Sequence, residues 1–161
     1  MRKISLFIMV CLMIASEALG AGSCVITSNT RVPIPTIAEA NDVQRQYVVL
    51  TCTGDSSNGS ITAYSFVPAT FGVKGWYLYN VTTDPDGTAA PTGDYDITLL
   101  VGGEDISGTL LTDRSATLTQ TVAIAPTTLG YPMADGTVAI TFANQSAASA
   151  VVVMTLRFTT N

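Results

Sequence analysis

Beyond residue 24 the chain alternates apolar and polar residues with a period of two, segment after segment, and helical spacing is nearly absent. Side chains of an extended strand point to opposite faces in turn, so this period marks half-buried strands. Val, Ile, Thr, Tyr and Phe dominate the segments, and Gly, Pro, Asn and Asp stand between them. The reading runs Cys24 to Asn29, then an irregular crossing from Arg31 to Ala40 interrupted by Pro33 and Pro35. Gln46 to Thr53 is the second strand, with Val48, Leu50 and Cys52 on one face, and Gly54 to Gly59 is a turn. Ser60 to Val67 carries apolar groups on both faces, which places it centrally, and Pro68 stops it. Gly75 to Thr82 sets Trp76, Leu78 and Asn80 against Tyr77, Tyr79 and Val81, and residues 84–93 form the longest clear loop. Asp94 to Val101, a weaker or bulged Ile106 to Leu111, and Ala116 to Ile124 follow. Gly136 to Ala143 and Ala150 to Thr159 read as a closing hairpin. Eight or nine antiparallel strands with no helices to cover them predict an all-β, two-sheet β-sandwich, Ig-like or jelly-roll-like.

The first 20 residues have a different character. Arg2 and Lys3 precede an apolar run from Ile4 to Ile14, and Ala18-Leu19-Gly20 supplies small residues for cleavage, the layout of a secretory signal peptide. This run of eleven residues, with Ser5 within it, is shorter than the roughly 18 that a bilayer-spanning helix needs, so no stable membrane span is expected. A hydrophobic arm retained in an assembly is the other reading of this segment. The division is therefore 1–20 as signal or arm and 21–161 as a single β-sandwich domain, a length sufficient for one core. Cys24 lacks the upstream Leu of a lipidated cysteine, and Cys11 leaves with a cleaved signal. Cys24 and Cys52 remain, and in an oxidising compartment they form a disulfide joining the first two strands; in a reducing one they stay two buried thiols.

Cleavage leaves five cations against eleven acids. The cations are scattered singly as Arg31, Arg45, Lys74, Arg114 and Arg157, so no basic stripe exists for nucleic acid or for an anionic membrane surface. The chain contains no His, which removes Ser-His-Asp and Cys-His catalysis, His-ligated zinc and imidazole acid-base chemistry. Asp94 with Asp96 and Glu104 with Asp105 are the nearest approach to a carboxylate pair, and residues of that type at strand ends are usually solvated turn formers. Asp84-Pro85-Asp86-Gly87 lacks the remaining ligands of a calcium loop and reads as a turn. No catalytic, cofactor-binding or metal residues are expected, and the protein is read as a non-enzyme. Trp76, Tyr77 and Tyr79 are candidate aromatics for stacking sugar rings, against the plainer reading of core and sheet surface. Asn58-Gly59-Ser60, Asn80-Val81-Thr82 and Asn144-Gln145-Ser146 match the glycosylation pattern, as a Ser- and Thr-rich chain does by chance.

Four motifs stand in order: Pro91-Thr92-Gly93-Asp94-Tyr95-Asp96-Ile97-Thr98-Leu99-Leu100, Glu104-Asp105-Ile106-Ser107-Gly108, Asp113-Arg114-Ser115 and Asp135-Gly136-Thr137-Val138-Ala139-Ile140. Through them residues 59–158 resemble a group of uncharacterised phage and prophage structural proteins, virion-associated β domains. The resemblance implies a non-enzymatic role in a phage-like particle, packing against other structural proteins or copies of itself. For the motifs it implies structural duties: Tyr95 and Ile97 filling one face, Asp96 and Asp113 holding turns, and Arg114 pairing with an acid. The leader in front of this pattern leaves three settings open: an arm retained in the virion, an exported prophage product, or a host-surface protein using the same domain. The reading from a different class is a secreted or periplasmic module that binds carbohydrate through its aromatic strand.

Overall fold

The computed structural model describes residues 21–33, 43–124, 130–134 and 136–160. Ten strands occur among them: β1 (Ser23–Pro33), β2 (Gln44–Thr53), β3 (Tyr64–Phe66), β4 (Tyr77–Pro85), β5 (Asp96–Val101), β6 (Glu104–Asp105), β7 (Gln120–Ala123), β8 (Tyr131–Pro132), β9 (Val138–Ala143) and β10 (Val151–Thr159). They form two antiparallel sheets, so the chain is an all-β sandwich. The larger sheet runs β1-β2-β10-β4-β7 with β8 also on β4, and the smaller runs β3-β9-β5-β6. The leader and residues 34–42, where much of the irregular crossing was placed, lie outside the described residues.

The core forms because the alternating apolar residues of both sheets turn inward. From the larger sheet come Val48, Leu50 and Cys52 of β2, Leu78 and Val81 of β4, and Val152, Met154, Leu156 and Phe158 of β10. Ile97, Leu99 and Val101 of β5, Val138 and Ile140 of β9, and Phe66 of β3 meet them in one cluster. Each such side chain contributes about 1.5–3 kcal/mol by leaving water, and the last strand lies between β2 and β4, so the carboxyl end completes the middle of the larger sheet.

Four expectations are corrected here. The final two strands are not a hairpin: β9 pairs with β3 and β5, whereas β10 belongs to the other sheet. Residues 144–150 therefore cross between the layers, with Asn144 and Ser149 both at positive φ. The segment from Ser60 to Val67 is not central; only Tyr64–Phe66 is strand, at the edge of the smaller sheet. Ile106 to Leu111 is turn rather than strand, because the Asp105 carboxylate gathers the N–H groups of Ser107 and Gly108 and bends the chain there. The first strand continues to Pro33, since a proline is tolerated at the end of an edge strand where its missing N–H is not required.

Candidate functional site

Residues 95–99, 105–108 and 114 make contacts that hold strands and turns together. Tyr95, Ile97 and Leu99 are fully buried. Asp96 accepts the Asp113 N–H at 2.9 Å and the Asn144 amide at 2.6 Å, which ties β5 to two turns. Ser107 donates to Asp105 at 2.7 Å and accepts the Leu99 N–H at 3.0 Å. Arg114 does not pair with an acid as expected. Its Nε and Nη2 donate to the Thr83 hydroxyl at 3.0 and 2.7 Å, and Nη2 also donates to the Gln120 carbonyl at 2.9 Å. Burial lowers its affinity for the proton, and burial raises the pKa of Tyr95 beside it. The Tyr95 hydroxyl is near enough to Thr83 to feel it but makes no hydrogen bond of its own. Arg114→Met should therefore lower stability by about 1–3 kcal/mol, because it leaves a hydroxyl and a carbonyl unpaired. Urea unfolding checks this, and an unchanged midpoint would show that the relief of a desolvated charge offsets those losses.

Of the carboxylates considered for chemistry, Asp96, Asp105 and Asp86 hold turns through backbone N–H groups. Asp94 lies at a positive φ in the turn before β5, and Glu104 accepts the Tyr131 hydroxyl at 2.7 Å. Asp84 and Pro85 are the end of β4 rather than turn, with Asp84 accepting the Thr119 hydroxyl, and the turn begins at Asp86, which accepts the N–H groups of Thr88 and Ala89. Among the described residues no three His, Cys, Asp or Glu gather into a metal-sized group. The Ser57 hydroxyl, then the Ser57 and Asn58 N–H groups, hold the Asp55 carboxyl below its usual pKa. The Ser107 hydroxyl does the same for Asp105, and the Ala89 and Thr88 N–H groups for Asp86. A depressed folded-state pKa stabilises the fold above the unfolded value of 3.8 and is lost as pH falls through the folded value. With no His to titrate near neutrality, the thermal midpoint should stay flat from about pH 5.5 to 8 and fall below about pH 4. A differential scanning series across that range reads it directly.

Two surface features remain, and both involve the larger sheet. The first is the edge of β1, which has no partner strand on its outer side among the described residues. The other sheet edges are short: two residues in β6, three in β3, four in β7 and two in β8. β1 runs 11 residues with Arg31 as its one charge. Val25 is 55% exposed and Val32 41%, the two β1 residues among the exposed large apolar side chains. The Gly22 carbonyl accepts the Thr62 N–H, and beyond it no hydrogen bond among the described residues reaches the open side of β1. Its inner side is held firmly. The Cys24–Cys52 disulfide joins residues directly opposite one another in β1 and β2. A bulge between Ile26 and Ser28 then turns Asn29 and Arg31 inward. There the buried Gln46 amide donates to Asn29 and to the Phe71 carbonyl, both at 2.6 Å, while Arg31 donates to Gln46 Oε1. Arg31 also lies 4.8 Å from the Trp76 ring centroid.

The second feature is a group on the outer face of the same sheet. Trp76 is buried, whereas Tyr77 and Tyr79 are half-buried on the outer face, so the three aromatics do not form one platform. A bulge in β4 opposite Arg157 and Phe158 turns both Tyr79 and Asn80 outward. β2 brings Arg45 and Tyr47 to that face, and β10 brings Arg157 opposite both Tyr47 and Asn80. The Arg45 guanidinium lies 5.7 Å from the Tyr79 ring centroid. Burial raises the Tyr79 pKa, although Arg45 and Arg157 both pull it down. Arg157 donates to Thr82 Oγ1 at 2.6 Å.

No family model and no curated protein matches the chain. A solved low-affinity xylan-binding module from the gut symbiont Roseburia intestinalis aligns over 86% of this chain and 95% of that one, at 12% identity and a TM-score of 0.28. At that distance the likeness assigns neither family nor ligand.

The sequence reading located Tyr77 and Tyr79 but not Arg45, Tyr47 or Arg157. The outward positions of β2 and β10 were open to reading from their alternation. Their meeting with Tyr79 depends on strand order, which alternation does not encode.

Proposed function

We propose that the protein is a non-enzymatic assembly component of a phage-like particle, which adds its β1 edge to a strand of a second copy or of a neighbouring structural protein. The observation that carries this is the contrast among edges. An exposed row of backbone donors and acceptors is a template for another strand, and sheets ordinarily blunt it by shortening, charge or proline. Three of the four boundaries are blunted by shortness, and β1 is left long, nearly uncharged and faced with exposed Val25 and Val32. A pairing of β1 with a partner strand satisfies those groups and covers both valines. The motif resemblance over residues 59–158 supplies the particle, and the turn-holding carboxylates support the absence of catalysis. The cross-strand disulfide supports an oxidising, exported setting for the folded chain, and among the described residues no helix is long and apolar enough to cross a membrane. Mass spectrometry of purified particles should find the chain in many copies, and a clean preparation without it would contradict the assignment.

A second reading, an exported carbohydrate-binding module, is favoured by one observation: the outer-face group of Arg45, Tyr47, Tyr79, Asn80 and Arg157. It places the ligand on the sheet face rather than on a platform containing Trp76.

A further inference from the structure

We infer that the outer face of the larger sheet holds a binding site for an acidic sugar chain, built from Arg45 and Arg157 with Tyr47, Tyr79 and Asn80; this deepens the carbohydrate-binding reading and rests on it.

The first argument is charge. The chain has few cations and an excess of acids, with a formal net charge of -5. Arg31 is committed to Gln46, Gly72 and the Trp76 ring, and Arg114 is buried on Thr83 and Gln120. Arg45 and Arg157 instead reach the same outer face from neighbouring strands. Arg157 stands opposite Tyr47, two residues along from Arg45. In a sheet such diagonal positions are roughly 7–8 Å apart, close enough for like charges to repel. An acidic protein that places two of its few arginines at diagonal positions of one sheet face, with their guanidiniums against a phenol ring and a hydroxyl rather than carboxylates, leaves a positive spot suited to an anion.

The second argument concerns the groups around that spot. Tyr47 and Tyr79 contribute hydroxyls and ring edges, Asn80 an amide, and Thr82 and Thr121 a linked pair of hydroxyls at 2.7 Å. These are neutral groups that both donate and accept. Many hydroxyls around a carboxylate match that field, as in a uronic-acid chain, whose carboxylate pairs with guanidinium and whose hydroxyls pair with the remainder. An acidic peptide offers carboxylates without the hydroxyls, and a neutral glycan offers hydroxyls without the charge.

Affinity electrophoresis and calorimetry with polygalacturonate, a neutral glucan and polyglutamate test the inference on the disulfide-bonded protein. Polygalacturonate is expected to bind at least tenfold more tightly than either other polymer, with affinity falling as salt rises, and the R45M/R157M variant is expected to lose at least tenfold. Arg45→Gln alone, at an exposed position, serves if the double variant does not fold. Equal binding of polyglutamate, or unchanged affinity in the variants, would overturn the site. Binding of the neutral glucan without polygalacturonate would overturn the acidic ligand and leave the carbohydrate reading standing, and binding of neither glycan would remove both.

Discussion

Replacing Cys24 and Cys52 together by Ala is expected to cost about 3–4 kcal/mol of folding stability, the value the chain-entropy model gives for a closed loop of this length. The two residues are 28 apart in sequence and directly opposite in the register of β1 and β2. Without the bond, the unfolded chain regains the freedom of that loop, while the folded state keeps its ladder. At this chain length the loss corresponds to a thermal midpoint lower by roughly 10 °C or more. Reduced wild-type protein should match the double variant, and urea unfolding of both gives the comparison. The effect should also be local: amide exchange ought to rise first in β1, because Cys24 anchors its beginning and the Gln46 network holds only the part beyond the bulge. A double variant as stable as the oxidised parent would show that the bond is redundant with the β1–β2 ladder.

The second large effect is expected at Gly59, which closes the turn after β2. Its φ is +75°, and a Cβ there would stand 2.3 Å from the Ser146 carbonyl carbon and 2.6 Å from the Ala147 nitrogen. The left-handed conformation alone costs a side-chain-bearing residue about 1–2 kcal/mol. The collision is with backbone, so no rotamer change relieves it. That backbone is also fixed on its other side: Thr92 Oγ1 accepts the Ser146 and Ala147 N–H groups, and the buried Gln145 amide donates to the Gly59 and Ala147 carbonyls. Three loops are clasped together at this end of the sandwich, and Gly59→Ala must part them. A loss of about 3 kcal/mol or more is expected from urea unfolding. A loss below 1 kcal/mol would mean that the clasp yields freely.

The inward faces were legible from alternation because a buried strand face must be apolar at every second residue. Val48, Leu50 and Cys52 were assigned to one face and are all completely buried. Alternation reports that a strand has a core face, but not which of two facing sheets it belongs to. β9 and β10 each satisfy the pattern, yet they lie in opposite layers. For the same reason the edge position could not be foreseen: Ser23–Pro33 reads as an ordinary strand until the order shows β2 on one side of it and, among the described residues, no partner strand on the other. Bulges set a further limit. The insertion in β4 turns Asn80 to the face opposite the one a strict period of two assigns, and the insertion in β1 turns Asn29 and Arg31 inward. The turns at Asp55 and Asp86 were more accessible, because each precedes groups whose N–H it can accept, whereas the same local signal at Asp105 is masked by the apolar Ile106, Leu110 and Leu111 that suggest a strand.

Arg114 marks where chemical intuition from sequence gave the right residue and the wrong partner. A cation within a turn motif suggests a nearby acid. The sandwich instead folds it over β4, where Thr83 and the Gln120 carbonyl are within reach, so its role is to bind the motif to the larger sheet.

Sedimentation velocity across a wide concentration range, on the oxidised chain and on a Val25→Lys, Val32→Lys edge variant, bears most directly on the assembly role of β1. The parent should associate progressively as concentration rises, and the variant should remain monomeric while keeping its β-sheet circular dichroism. A parent that stays monomeric throughout, or a folded variant that associates equally well, would contradict the account.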